Sequence, residues 1–235
     1  GRLNAFVTVS KTAHDEAKAV IRSPAQHLAG VPIAIKDLVD TAGLKTTYGS
    51  AIFKDNVPTD DDLIVARAKA AGAVIIGKTM TPEFGFGAIC ANALRNATCN
   101  PWAIDLTSGG SSGGAAASIA AGLVPLAHGT DFGGSVRTPA SFCGVLSLRP
   151  TPGLIPSPKR ALAFDTLATH GVLARTVDDL ELFLNAVAGP DPRDPSSLRV
   201  PNGTARKVPT DRLKIAATED FGVAPVQSLV RLAMR

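Results

Sequence analysis

The sequence predicts an α/β protein with a mixed, largely parallel central sheet flanked by helices. Short apolar runs typical of buried strands alternate along the chain with amphipathic or small-residue segments typical of helices. The composition agrees, since 45% of the 235 residues are hydrophobic and 19% are charged. Such proportions are those of a globular domain with a sizeable core. The sequence shows no internal repeat.

The first half of the chain contains two predicted helix–strand pairs. A helix over residues 12–22 precedes a short apolar run at 31–36, which we interpret as a buried strand. Residues 60–71 form the second predicted helix, because acidic residues crowd its first turn and Gly72 follows its last. The run A-V-I-I at 73–76 is the next buried strand.

The second half continues the alternation. Residues 112–121 form a helix of small side chains, and residues 124–127 form a strand that leads into a glycine-rich turn. Residues 176–188 form a clearly amphipathic helix, with Thr176 as its N-cap and a Gly-Pro dipeptide after its end. A further strand is predicted at 214–217.

The segment 189–209 is rich in proline, aspartate and serine and predicts an exposed connection. The two ends of the chain are unusual for a domain. Gly1 lies just before an apolar run, and a helical pattern begins at residue 226 and stops at 235 without a cap. We therefore expect a fold truncated at both ends, either a fragment or one piece of a nicked protein.

Charge and cysteine content exclude several classes of protein. The net charge is +4, but the basic residues are scattered, and a nucleic-acid-binding protein usually concentrates them. The three cysteines Cys90, Cys99 and Cys143 form no C-x-x-C pair, which argues against a zinc site or a disulfide framework. The first residues lack a signal pattern, and no apolar run reaches the ~20 residues of a membrane span. We expect a cytoplasmic protein without membrane or direct nucleic-acid contacts.

Two familiar patterns match by letter only. The octapeptide G-A-V-I-I-G-K-T at 72–79 fits the phosphate-loop pattern, but its middle residues are strand formers. We interpret it as a strand that ends in a turn, with Lys78 exposed or paired. The pentapeptide G-G-S-S-G at 109–113 fits the nucleophile elbow of α/β-hydrolases, although the preceding residues, 101–108, make a poor strand.

The nucleophile-elbow interpretation would need a later aspartate and histidine. Asp165 and His170 are available, so it stays open as an alternative. Otherwise we expect His170 to be an ordinary strand or loop residue. His128, beside a glycine-rich turn, is expected to be a buried, hydrogen-bonded histidine.

Two serines and one lysine point to chemistry. Ser111 lies in S-G-G-S-S-G-G, Ser135 lies in H-G-T-D-F-G-G-S-V-R, and Lys36 ends the apolar run V-P-I-A-I-K. Flanking glycines let backbone N–H groups approach a substrate closely. A serine needs a base, and a lysine acts as one when it is held neutral. Together they predict acyl transfer by a Ser-Ser-Lys relay.

The surroundings of these residues strengthen the prediction. The N–H groups of the four residues from Phe132 to Ser135 can converge on one oxygen, as in an oxyanion hole. Lys36 closes a buried strand, where burial disfavours its charge and lowers its pKa. The alternative for Lys36 is an ordinary strand-end lysine paired with Asp37 or Asp40.

At these residues the chain closely resembles the amidase signature family. The matching core reads G-G-S-S-G-G-A-A-A-S-I-A-A-G and, further on, G-T-D-F-G-G-S-V-R-T-P-A. Other matching motifs are V-P-I-A-I-K-D-L-V-D-T-A-G-L-K-T-T-Y-G-S, A-G-A-V-I-I-G-K-T and C-G-V-L-S-L-R-P-T-P-G. They follow one another over nearly the whole of residues 1–235, which we therefore expect to be the N-terminal and core part of an amidase signature domain.

The resemblance implies a fold, a reaction and a set of roles. Ser135 would be the nucleophile, Ser111 would shuttle the proton after a cis peptide bond from Gly110, and Lys36 would be the base. The oxyanion would be held by the backbone N–H groups of Phe132, Gly133, Gly134 and Ser135. The loop would be supported by Ser112, Thr130, Asp131 and Arg137. Family members hydrolyse the C–N bond of carboxylic amides through an acyl-enzyme, so we expect a small, linear amide as substrate, with no metal and no organic cofactor.

Some features depart from the family pattern. Met80, Cys99, Ala115 and Ser147 stand where other residues are frequent, which leaves the substrate open. Family domains are roughly twice as long, beyond a typical domain, and the second half completes the sheet and much of the pocket.

Within the family, T-P-E-F after Gly77-Lys78-Thr79 resembles general amidases. The alternative function is that of the A component of glutamyl-tRNA or aspartyl-tRNA amidotransferase, which usually has N-M-D-E-F there. The third possibility is a catalytically incomplete fragment of an amidase. A companion chain or a homo-oligomer stays open.

Overall fold

The computed structural model describes residues 2–20, 26–198, 213–214, 216 and 218–233 of the chain. It contains two compact units, Gly1–Thr204 and Ala205–Arg235. Within the described residues, no helix is both long and apolar enough to cross a membrane.

The larger unit is built on a six-stranded sheet and a small two-stranded ribbon. The strands are β1 (Phe6–Val9), β2 (Pro32–Lys36), β3 (Val74–Thr79), β4 (Cys99–Asn100), β5 (Ala103–Thr107), β6 (Leu126–Asp131), β7 (Leu146–Leu148) and β8 (Thr169–Ala174). The sheet order is β1-β3-β2-β6-β8-β7, and β4 pairs with β5. Strands β3, β2 and β6 are parallel neighbours, whereas β1 and β8 run against them. Since β7 is antiparallel to β8, four of the six strands share one direction, which confirms the mixed, largely parallel class.

Helices cover both faces of the sheet. They are α1 (Ala13–Ala19), α2 (Leu63–Ala70), α3 (Gly113–Ala120), α4 (Arg137–Cys143) and α5 (Val177–Val187). On one face, Ile33 and Ile35 of β2 pack in a core with α2 and α5, whereas Ala34 between them packs in a second core with α3 and α4. The two-residue alternation of side chains along a strand produces this division.

The predicted helices and strands of residues 12–188 are present, with shifted ends. The predicted strand at 73–76 continues through Gly77, Lys78 and Thr79, and the one at 124–127 continues to Asp131. Both extensions consist of polar or glycine residues, which the apolar pattern did not include. The first helix ends at Ala19, and residues 21–22 lie outside the described part of the chain. Residues 215 and 217 of the strand predicted at 214–217 also lie outside it.

The prediction that residues 101–108 are a poor strand was wrong. Ala103–Thr107 form β5, which pairs antiparallel with β4. The three middle residues of β5 are exposed, so a local hairpin partner, rather than burial, gives this segment its conformation. The sequence analysis also did not identify β1, β7, β8 or α4, whose partners lie elsewhere in the chain.

The described part of the predicted connection, residues 189–198, is tied to the larger unit. The N–H of Gly189 donates to the carbonyl of Leu154, and Arg160 pairs with the buried carboxylate of Asp194 at 3.1 Å. Residues 199–209 lie outside the described residues, so their exposure stays a prediction.

The smaller unit contains the helix α6 (Ser228–Ala233). Within this unit Arg231 lies 3.4 Å from Glu219 and 3.5 Å from Asp220, in contacts between partly exposed side chains.

Candidate active site

Parallel strands bring Lys36 to one edge of the sheet. Lys36 ends β2 and Asp131 ends the neighbouring parallel strand β6, so the residues after both strands meet at the same edge. The N-terminal end of α3, with Ser111 and Ser112 just before it, lies against this edge. Residues that are 75 or more positions apart in the chain thus form one cluster.

The amino group of Lys36 is surrounded by hydroxyl groups. Its Nζ atom lies 2.7 Å from Ser111 Oγ, 2.9 Å from Ser112 Oγ and 2.9 Å from Thr130 Oγ1. Lys36 is fully buried, and it makes no ion pair with Asp37 or Asp40, which bond to Thr47 and to Lys159, respectively. The strand-end pairing considered for Lys36 is therefore wrong.

Burial lowers the pKa of Lys36 to about 7, although the nearby Cys90 and Asp131 act in the opposite direction. A lysine with this pKa is neutral in a large fraction of molecules at neutral pH, as a general base requires.

The hydrogen bonds around Lys36 indicate which hydroxyl faces its lone pair. Ser112 Oγ donates to the carbonyl of Thr130 at 3.2 Å, so its proton is used and it accepts from Lys36. A neutral amine has two N–H donors and one lone pair. Ser111 is the nearest of the three hydroxyls, at 2.7 Å, and it borders the open cavity. Its O–H is therefore well placed to donate to Nζ.

Ser111 and Ser135 line the same cavity, which has a volume of about 670 Å³. Ser111 is buried and Ser135 is half-buried. The backbone joins the two glycine-rich segments, because the N–H of Ser112 donates to the carbonyl of Ser135 at 3.0 Å. The structure thus brings together the three residues that the sequence motifs singled out.

Asp131 organises the loop that carries Ser135. Its buried carboxylate accepts N–H groups of Gly134 (2.8 Å) and Val136 (3.1 Å) and two from the guanidinium of Arg137 (2.9 and 3.1 Å). Burial acts to raise the pKa of Asp131, but these hydrogen bonds outweigh it and lower the pKa to about 2. The carboxylate is charged at every physiological pH and holds the loop in one shape.

This arrangement corrects one part of the predicted oxyanion hole. The N–H of Gly134 is used by Asp131, so it does not converge with its neighbours on a substrate oxygen. The N–H groups of Phe132, Gly133 and Ser135 stay as the candidates.

The glycines near Ser111 are required by close packing. The peptide bond between Gly110 and Ser111 is cis. A Cβ on Gly110 would lie 2.9 Å from the carbonyl carbon of Ala88, and a Cβ on Gly129 would lie 2.8 Å from Ser112 Oγ. Any larger residue at either position would displace the backbone or side chains that hold the site.

The fold excludes the phosphate-loop interpretation. Gly77, Lys78 and Thr79 lie within β3 rather than in a loop before a helix, so they do not form a phosphate loop. The turn interpretation allowed Lys78 to be exposed or paired, and the structure shows that it is not exposed. It is fully buried and donates to the carbonyl of Val39 and to the hydroxyls of Thr41 and Thr46.

The alternative based on histidine is also weakened. His170 Nδ1 lies 3.0 Å from Nε2 of His128, and both rings are buried in neighbouring strands. His128 is thus a buried, hydrogen-bonded histidine, although only one of its ring nitrogens has a partner among the described residues. Ser111 has Lys36 as its hydrogen-bond partner instead.

Sequence reasoning did not identify the wall of the cavity. Leu38, Phe84, Phe86 and Ala88 line it together with the glycine-rich loops. The signal available in the sequence was the run E-F-G-F-G at 83–87, in which aromatic residues alternate with glycine shortly after β3.

Comparisons with known proteins identify the family of the chain. The family model "Amidase" matches residues 1–235. The chain is 46% identical over 199 residues to the A component of the glutamyl-tRNA(Gln) amidotransferase of Thermus thermophilus, a match that covers 85% of this chain and 42% of the relative. It is 44% identical over 202 residues to an acylamidase of Rhodococcus erythropolis, with coverage of 85% and 42%.

A solved structure shares the fold. The structure of a 6-aminohexanoate cyclic dimer hydrolase complexed with substrate superposes with a TM-score of 0.79 at 36% identity, over 86% of this chain and 42% of that one. The chain thus spans less than half the length of the relatives that it matches. From its family match, its sequence identity to these relatives and its fold, the chain belongs to the amidase signature family.

Proposed function

We propose that this chain carries the catalytic residues of an amidase that hydrolyses the C–N bond of linear carboxylic amides. The observation that carries the proposal is the 2.7 Å contact between the buried Lys36 Nζ and Ser111 Oγ, at the wall of a cavity that Ser135 also lines. The Rhodococcus acylamidase is a relative whose name fits the hydrolysis of amides, and the structurally similar hydrolase is named for a cyclic substrate.

The first half of the reaction forms an acyl-enzyme. Neutral Lys36 takes the proton of Ser111, and Ser111 takes the proton of Ser135 as Ser135 Oγ bonds to the carbonyl carbon. The carbonyl electron pair moves to oxygen, where the N–H groups of Phe132, Gly133 and Ser135 are the proposed donors. When the intermediate collapses, the C–N bond breaks and the relay returns a proton to the leaving amine.

The second half regenerates the enzyme. Water attacks the acyl group, and its proton passes along the same relay to Lys36. When this second intermediate collapses, the bond from Ser135 Oγ to the acyl carbon breaks and the relay returns the proton to Ser135, which releases the acid and restores neutral Lys36. Each proton and electron pair moves between side chains, substrate and water, so the proposed cycle uses no cofactor. Ser112, Thr130, Asp131 and Arg137 act as supports that hold Lys36 and the loop in place.

One observation favours a second candidate. The relative from Thermus thermophilus is the A component of a glutamyl-tRNA(Gln) amidotransferase, at 46% identity, slightly above the acylamidase. In that case the same relay would release ammonia from an amide within a complex that includes companion chains. Release of ammonia only in the presence of companion chains would favour this candidate.

Active-site labelling tests the proposal. A fluorophosphonate should add one adduct to the enzyme, mapped to Ser135 by peptide mass spectrometry. The Ser135→Ala variant should take no label and lose turnover of amides, whereas Ser118→Ala, a buried serine of α3 outside the cavity, should keep both. Turnover that persists in Ser135→Ala would contradict the proposal, and a wild-type enzyme that takes no label would favour a catalytically incomplete fragment.

A further inference from the structure

The cavity beside Ser135 is largely apolar. Its lining side chains beyond the two serines include Leu38, Phe84, Phe86, Phe132 and Ala168. The residues Phe84, Phe86 and Phe132 are 57%, 94% and 61% exposed, so each presents apolar surface. Burying such rings against a bound apolar group is favourable, because it removes apolar area from water.

The ring of Phe84 is held before any substrate arrives. Its N–H donates to the carbonyl of Tyr48 at 2.7 Å, and its ring meets the ring of Phe53 edge to face with centroids 6.2 Å apart. Phe53 in turn packs against Tyr48 at 5.1 Å. These edge-to-face contacts hold Phe84 in place as a preformed wall of the cavity. Binding therefore costs less conformational entropy than it would with a mobile ring.

The cavity also lacks a free charge. Among its lining residues in the described part of the chain, Asp131 is the single charged one. Its carboxylate is already bound by Arg137, by Arg149 at 3.5 Å and by two backbone N–H groups. A charged group placed against these residues would find no free partner of opposite charge among them, which is costly where it loses water.

From these three observations we propose that the cavity selects amides with an uncharged, apolar acyl group, of which an arylalkanoyl group is the best fit. An amino-acid amide such as glutamine, which carries both an ammonium and a carboxylate, is disfavoured. The inference rests on the proposed amidase function and names its substrate class.

Primary amides that share ammonia as leaving group isolate the acyl side. Release of ammonia by the enzyme should be measured with 3-phenylpropanamide, acetamide, glutaramic acid and glutamine. We expect kcat/KM for 3-phenylpropanamide to exceed that for glutamine and glutaramic acid at least about 100-fold. Equal or higher kcat/KM for either charged amide would overturn the inference.

A variant of the wall links the preference to Phe84. Phe84→Ala should lower the ratio of kcat/KM between 3-phenylpropanamide and acetamide about tenfold, because it removes the ring that contacts the acyl group. Phe84→Leu, which keeps an apolar side chain for folding, should lower the ratio by a smaller factor. Phe164→Ala changes an exposed phenylalanine that does not line the cavity and should leave the ratio unchanged. A ratio that is the same in all three variants and the wild type would also overturn the inference.

The outcomes separate the two proposals. If Ser135 is labelled but the enzyme prefers charged amides, the proposed substrate class is wrong and the proposed amidase function is supported. If Ser135 takes no label and no amide releases ammonia, both the proposed function and the proposed substrate class are wrong.

Discussion

The Nζ atom of Lys36 lies 2.7 Å from the Oγ atom of Ser111, although the two residues are 75 positions apart in the chain. Both side chains are buried, so the contact is shielded from water and little screened by salt.

The rate should depend on the protonation of Lys36. With a pKa of about 7, the neutral form of Lys36 is scarce in acid and predominant above about pH 8. The pH profile of kcat/KM should therefore rise about tenfold per pH unit below pH 7 and level off in mild alkali.

Two variants check the origin of that profile. Lys36→Arg, which stays protonated, should lower kcat/KM at least about 100-fold and abolish the rise. Lys45→Arg replaces an exposed lysine paired with Asp55 and should retain the wild-type profile. A flat wild-type profile from pH 5 to pH 9 would argue against a neutral lysine as the base.

The stability of the protein should rise with pH because of two buried lysines. Burial lowers the pKa of Lys36 to about 7 and that of Lys78 to about 8, from an ordinary value of 10.5. Between the lowered and the ordinary pKa the unfolded chain binds more protons than the folded chain, so the free energy of unfolding increases with pH. Over that whole range the gain is roughly 5 kcal/mol for Lys36 and roughly 3 kcal/mol for Lys78.

Urea unfolding at pH 7 and pH 10 measures most of this gain. The increase in the free energy of unfolding between pH 7 and pH 10 should be smaller in Lys78→Met than in the wild type. It should be smaller still in Lys36→Met. Titration of all other groups is common to the variants and the wild type, so the difference isolates each lysine. A pH-dependent gain that is unchanged in both variants would show that neither lysine is held with a lowered pKa.

Asp131→Asn should destabilise the fold and impair the site. It removes the charge that accepts four hydrogen bonds from the loop carrying Ser135, at an expected cost of about 2 kcal/mol in the free energy of unfolding. Asp55→Asn breaks an exposed ion pair with Lys45 and should cost well under about 1 kcal/mol.

Acid dependence provides a second measure of the same carboxylate. Because the pKa of Asp131 is lowered to about 2 from 3.8, its contribution is present above about pH 4 and is lost as pH falls towards 2. The Asn variant should therefore lack that portion of acid sensitivity. If Asp131→Asn and Asp55→Asn were equally stable, the loop would not depend on the buried carboxylate.

Two glycines at the ends of α3 should respond differently to alanine. A Cβ on Gly114 would lie 2.4 Å from the backbone nitrogen of Met80 and 2.5 Å from the carbonyl oxygen of Ala5. Gly114→Ala must push α3 away from the sheet and should cost about 3 kcal/mol or more. Gly122 has a φ of +69° but open space around its Cβ position, so Gly122→Ala should cost only about 1 kcal/mol.

Free energies of unfolding from urea titrations distinguish the two glycine variants. A Gly114→Ala protein as stable as Gly122→Ala would mean that α3 does not need its close approach to the sheet.

Local patterns predicted much of the fold. The cap of α5 is one case, because the Thr176 hydroxyl accepts the N–H of Asp179 as the sequence indicated. Strand β5 is the opposite case, since its exposed residues form a strand only because β4 pairs with them. Strands β7 and β8 were missed for a related reason, as β8 lies between β6 and β7 and depends on both.

The site shows the same division between local pattern and distant contact. The glycine-rich motifs indicated Ser111 and Ser135, and the apolar strand that ends at Lys36 was enough to predict the lowered pKa of this lysine. The hydrogen-bond acceptor of the Gly134 N–H could not be predicted from the sequence, because the direction of the Asp131 carboxylate depends on its contacts with Arg137 and the loop. The burial of Lys78 could not be predicted from the sequence either, since its three hydrogen-bond acceptors lie 32 to 39 residues away in the chain.

Short motifs and the periodicity of apolar residues were enough to predict the α/β class, the family and the three residues of the proposed relay. Only the packed fold shows which groups bind the Gly134 N–H and the Lys78 amino group, that His128 pairs with His170, and that aromatic residues line the cavity. Hydrogen bonding and burial depend on atoms from distant segments of the chain, and these segments meet only when it folds.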